Sequence, residues 1–197
     1  MADRHRTIVL WLIRSGQSPW QLEGRLQGQT DLPLAPQSKI IVMNAAGELK
    51  RSGPKMIHHP GDEAATETAR MIGGALKARL KAEDELADPN LGLLEGLTYD
   101  EFEERYPTRY KQWKDDRISL VPPEGEEFIT ARSRVFAAVA KIMKRSRSGD
   151  AGIVVHDEAW AFLRAWLRGR EHTNGQANGS MVERYALNTK QVDEMIN

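Results

Sequence analysis

Arg14, Ser15 and Gly16 follow directly on the apolar run Ile8–Ile13, which is rich in β-branched residues. A short run of this kind reads as a buried strand, and the polar stretch behind it as a loop. In an open α/β sheet the strand ends are where ligands sit, so an arginine, a small residue and a glycine at that point are placed to meet an anion. His156 stands in the same relation to a second short strand, Ala151–Val155, and is followed by Asp157, Glu158 and an apolar helix. On residue type alone, such a histidine is a capping or surface residue. The absence of cysteine removes thiolate nucleophiles, disulfides and cysteine metal sites together.

The chain between these points supplies the elements to position them. Its 197 residues carry 28 basic and 28 acidic side chains, a length suited to one domain with one core. A balanced charge provides no overall field for nucleic acid or an anionic membrane, so any basic site must be local. No apolar run approaches the ~20 residues of a membrane helix, and the expectation is a soluble, cytoplasmic protein. A helix is predicted from about Pro36 to Leu49, closed by Ser52-Gly53-Pro54, and a strand over Lys55–His59. A helix follows over Glu63–Lys81 with Asp62 as its N-cap, and then a third strand over Glu83–Asp88. Thr98–Arg117 reads as helical, interrupted by Pro107, and Phe128–Arg145 as a long amphipathic helix. After the strand ending at Val155 come a helix over Ala159–Arg168, a turn at Asn178-Gly179-Ser180, a strand over Met181–Leu187 and a terminal helix. Recurring strand, turn and helix require a βαβ architecture. His5, His58, His59 and His172 read as structural or surface residues.

Several segments together resemble the histidine phosphatase superfamily, the phosphoglycerate-mutase-like proteins. That family opens on an Arg-His-Gly turn, then a Trp, an Asn or Gln, a Gly-Arg, a Gly and an Asp before Pro-Leu. Arg14, Gly16, Trp20, Gln21, Gly24, Arg25, Gly28, Asp31, Pro33 and Leu34 fit this pattern. Glu67-Thr68-Ala69 fits its second segment, Gly92 with Glu95-Gly96-Leu97 its third, Glu124-Gly125-Glu126 a further element, and His156 its last. The resemblance implies an α/β three-layer sandwich with a mostly parallel central sheet, a single domain over residues 1–197 and a helical lid insertion at about 98–125. It also implies phosphoryl chemistry by double displacement: one histidine attacks phosphorus, two arginines and a second histidine stabilise the equatorial oxygens, and an acid protonates the leaving oxygen.

The departures fall on that inventory. Ser15 occupies the nucleophile position. The turn Pro60–Thr66, where the second phosphate-binding arginine belongs, holds no arginine and carries Asp62 and Glu63, which suit a capped helix start. Asp157 replaces a glycine. Asp88 falls on or beside the proton-donor position, or else Asp88-Pro89-Asn90 is a turn. The aromatics Tyr99, Phe102, Tyr106, Tyr110 and Trp113 either pack their helices or line a pocket, and Arg109, Lys111, Lys114 and Arg117 could bring positive charge to an anion. The expectation is therefore a catalytically impaired relative that binds a phosphorylated small molecule, another anion or a protein partner, with no metal and no cofactor. Arg14, Ser15, Gln21 and His156 would form its anion site. The alternative is an active phosphomonoesterase or mutase in which Ser15 attacks with His156 as base and Asp88 as acid.

Overall fold

The computed structural model describes residues 7–146, 149–168 and 181–196. Five strands form one sheet: β1 (Thr7–Arg14), β2 (Met56–His59), β3 (Arg79–Ala82), β4 (Asp150–Val155) and β5 (Val182–Asn188), in the order β3-β2-β4-β1-β5. The β1–β4, β4–β2 and β2–β3 pairs are parallel, and β5 runs antiparallel beside β1. The α/β architecture with a mostly parallel sheet is as the sequence predicts. The family turn expected at Asn178-Gly179-Ser180 lies outside the described residues, as do His5 and His172.

The eight α-helices among the described residues are α1 (Pro19–Leu22), α2 (Ser38–Leu49), α3 (Glu63–Leu76), α4 (Tyr99–Arg105), α5 (Pro107–Asp115), α6 (Phe128–Arg145), α7 (Asp157–Leu167) and α8 (Thr189–Glu194). Alternation along β1 divides the core into two layers. Ile8, Leu10 and Leu12 face the side packed by α6 and α7, whereas Trp11 and Ile13 face α2 and α3. Because both faces of β1 and β4 are covered, their strands read as continuous apolar runs. Their C-terminal ends, Arg14 and Val155, are paired in register, which sets Ser15 and His156 side by side on leaving the sheet.

Two expected boundaries shift. The helix from Glu63 ends at Leu76, where Lys77 takes a left-handed conformation at φ 55°, and Arg79–Ala82 becomes β3. Leu80 lies four residues beyond Leu76 and so continues the helical spacing in sequence, but it reaches the same helix from the strand, over Gly73. Parallel pairing of β3 with β2 outweighs the local helical pattern. The third strand is accordingly not Glu83–Asp88, which forms a 3₁₀ turn at Asp84–Leu86 and a buried approach to Asp88.

The segment expected as a lid is built from α4 and α5. Phe102 is fully buried in the main core, with Tyr106, Tyr110 and Trp113 packed against it. Tyr110 meets Phe102 edge-on at 5.3 Å, and Tyr99 stacks on Trp113 at 5.3 Å. These aromatics hold the two helices to the body of the protein.

Candidate active site

The site is assembled at the C-terminal edge of the sheet by β1, β4 and the starts of α3 and α7. A Cβ on Gly16 would lie 2.5 Å from Leu34 Cδ1 and 2.9 Å from Val42 Cγ2, so any larger residue would have to displace both side chains. Its amide donates to Thr68 Oγ1 at 3.0 Å, so the family's Glu-Thr-Ala segment pins the turn that follows Arg14. Ser15 is 4% exposed. Its hydroxyl donates to Gly16 O at 3.2 Å and lies 3.4 Å from Thr68 Oγ1. Among the described residues, no imidazole nitrogen or carboxylate lies within hydrogen-bonding distance of it.

Each cation of the site is matched by a carboxylate of the same chain. Arg14 Nε donates to Asp157 Oδ1 at 2.5 Å, and Gln21 Nε2 donates to the other oxygen of Asp157 at 3.3 Å. Burial lowers the Arg14 pKa, but the bond and charge of Asp157 outweigh it and hold the guanidinium above its ordinary value. His156 Nε2 lies 2.9 Å from Asp62 Oδ1, and the same oxygen accepts the Ala65 amide at 2.9 Å as N-cap of α3. Burial works against a charged His156, yet Asp62, followed by Asp88 and Asp157, lifts its pKa to about 9. Asp62 is correspondingly lowered: burial opposes its charge, and the His156 bond overcomes it. Nδ1 of His156 is buried without a hydrogen-bond partner.

Asp88 serves α7. Its two oxygens accept the Glu158 and Ala159 amides at 3.1 and 2.8 Å, filling the anion-favouring N-terminus of that helix. Burial raises its pKa to about 7, with His156 and the Ala159 amide pulling the other way. Arg117, just past α5, stacks over Trp113 with its guanidinium 4.5 Å from the ring centroid. It forms an ion pair with Glu158 and lies within the fields of Asp88 and Asp157. Arg117 thus lies beside the site. Arg109 instead donates to Val121 O. The pairings of Arg14, His156 and Arg117 with their carboxylates are not readable from sequence, since they join residues 143, 94 and 41 positions apart. The one available signal was acid standing where the family places a cation or glycine.

The remaining motif residues brace the site from outside. Glu95 accepts the amides of Gln29 at 2.9 Å and Leu91 at 3.1 Å, together with the Thr30 hydroxyl. Gly28, at φ 60°, lies so close that a Cβ would come within 2.2 Å of Glu95 Oε1. Arg25 donates to Gly96 O at 2.7 Å, and Asp31 accepts the Glu63 amide at the start of α3 at 2.7 Å.

The description of the histidine phosphatase superfamily, branch 1, matches residues 10–188. The chain belongs to the histidine phosphatase superfamily. It is 27% identical over 166 residues to a probable phosphoglycerate mutase, GpmB, of Escherichia fergusonii, covering 82% of this chain and 75% of the relative. It is 26% identical over 149 residues to phosphoserine phosphatase 1 of Hydrogenobacter thermophilus, covering 76% and 71%. Among solved structures it resembles YhfR of Bacillus stearothermophilus at TM-score 0.79 and 26% identity, with 89% of each chain covered. Mycobacterial hydrolase 1 shares the fold at TM-score 0.82 and 22% identity, with 92% of each chain covered. Relatives of this histidine phosphatase fold are thus phosphatases and mutases. No helix among the described residues is long and apolar enough to cross a membrane.

Proposed function

We propose that this superfamily member is a catalytically impaired phosphatase-fold protein that recognises a phosphorylated small molecule or another anion. The observation that carries this reading is the isolation of Ser15: its hydroxyl is bound to Gly16 O and Thr68, while the imidazole that would have to serve as base is engaged by Asp62. A serine needs a base within reach to attack phosphorus. Loss of the nucleophile in a well-studied hydrolase costs about a million-fold in turnover, and loss of one preorganised donor, taken by itself, about 3 kcal/mol.

The carboxylates support the same conclusion. Asp157 lies on the Arg14 and Gln21 donors, so an incoming anion must displace it to reach them. Recognition by displacement suits a binding protein better than rapid turnover. The lack of cysteine is compatible with a reducing compartment such as the cytoplasm.

The deciding experiment is turnover of a generic aryl phosphate across a pH range by wild type, Ser15→Ala and Ser15→His, with intact-mass analysis for a phospho-adduct. The expected result is no turnover above background and no adduct in wild type. Turnover in wild type that disappears in Ser15→Ala would overturn the reading.

A further inference from the structure

Away from this site, α6 and the β2–β3 edge of the sheet enclose a groove of about 700 Å³. It begins at the N-terminal ends of the strands, beside Lys55 and Asp150, and runs along the sheet face opposite α3. The register places Met56 beside Arg79 and His58 beside Lys81, so these four side chains share the groove face while Ile57 and Leu80 turn toward α3. On the helix side, Arg134, Ala137, Ala138, Lys141, Ile142 and Arg145 recur at helical spacing and line the groove.

The lining combines two kinds of residue. Met56, Ala137, Ala138, Ile142 and Ala151 make an apolar floor. Six Lys and Arg side chains stand around it against three carboxylates, Glu83, Glu85 and Asp150. Two of the cations are committed: Lys81 binds Glu83 at 2.5 Å, and Arg134 binds Glu126 at 2.6 Å while donating to the carbonyls of Glu85 and Ala87. Lys55, Arg79, Lys141 and Arg145 have no ion-pair partner among the described residues. In a chain of balanced overall charge, six cations against three carboxylates around one apolar trough are the local basic site that composition leaves room for.

We propose that this groove binds a small amphipathic anion, an alkyl or aryl body ending in a carboxylate, sulfate or phosphate monoester. The volume falls within the range of small-molecule sites, which join an apolar lining to a few placed polar groups. The body covers the floor between α6 and β2, removing that surface from water. The charged end lies among Lys141, Arg145, Arg79 and Lys55, where the low-dielectric wall strengthens the attraction. Neither half suffices: an inorganic anion leaves the floor wet, and a neutral chain leaves the cations unmatched.

The probe is 8-anilinonaphthalene-1-sulfonate, followed by its emission on binding to the full chain. The expected result is saturable binding, reversed by decanoate but by neither decanol nor inorganic sulfate at equal concentration, and weakening as salt is raised. The double variant Lys141→Glu/Arg145→Glu changes two exposed helix positions and is expected to weaken the probe by about tenfold or more. Thermal denaturation of that variant separates lost binding from lost folding. Because Arg14→Ala leaves the groove intact, it is expected to leave the probe affinity unchanged, which distinguishes this site from the phosphatase-like one. Equal displacement by decanol or by sulfate would overturn the ligand class, and unchanged affinity in the double variant would overturn the location.

Discussion

Arg14 and Asp157, 143 residues apart, meet at 2.5 Å where β1 ends and α7 begins. The acid also takes the Gln21 amide, so both donors point at a carboxylate supplied by the fold. Replacing Asp157 with glycine frees them. Asp157→Gly is expected to bind inorganic phosphate at least about tenfold more tightly than wild type by titration calorimetry. Adding Arg14→Ala should abolish the gain. Unchanged affinity in Asp157→Gly would show that the pair does not occupy an anion seat.

Ser15→His alone is expected to leave aryl phosphate turnover near background. The new imidazole would still lack a second cation at the Pro60–Thr66 turn, and Asp157 would still repel the phosphoryl group. Combining Ser15→His with Asp157→Gly should exceed Ser15→His alone by roughly two orders of magnitude, the scale of one preorganised electrostatic contribution. Steady-state rates for the two variants test this.

The stability of the protein is expected to fall as pH rises from about 6.5 to about 9. His156 keeps its proton in the folded chain up to about 9, whereas the unfolded chain releases it near 6.5. Its contribution is therefore fully present below that lower value and is lost as pH passes through the upper one. Asp88 acts with the same sign lower down: buried, it holds its proton to about 7, while the unfolded carboxyl ionises near 4. Urea denaturation between pH 4 and 9 should show the decline. Asp62→Asn, which removes the charge opposite His156, should flatten the part above about 6.5.

Asp88→Ala should destabilise the fold by about 1–3 kcal/mol, since it strips two buried α7 amides of their acceptor. Asp88→Asn keeps one acceptor oxygen and should lose less. Chemical denaturation of the two variants gives the comparison, and equal stability of Ala and wild type would exclude the capping role.

Strand ends were the most legible part of this sequence. The β-branched run before Arg14 and the short run before His156 announce buried parallel strands, and once those pair in register both residues must emerge together. The boundary of α3 was less legible: Leu80 keeps helical spacing with Leu76, and nothing in the side chain of Lys77 signals a left-handed cap. Partner choice was not legible at all. Asp62 carries the local signature of an N-cap, which it is, and only the packing of α3 against β4 gives its second lone-pair direction to His156. Arg117 was one of four cations of equal appearance between Arg109 and Arg117, and stacking on Trp113 singles it out.

The bracing by Glu95 and Arg25 has a consequence for how this molecule ages. These ties knot the loops around the crevice from behind, without relying on the groups that face into it. Shape and reactivity are therefore fastened by different rivets. The residue at position 15 can therefore be exchanged without the surrounding walls sagging, which leaves the mould firm whatever group it presents.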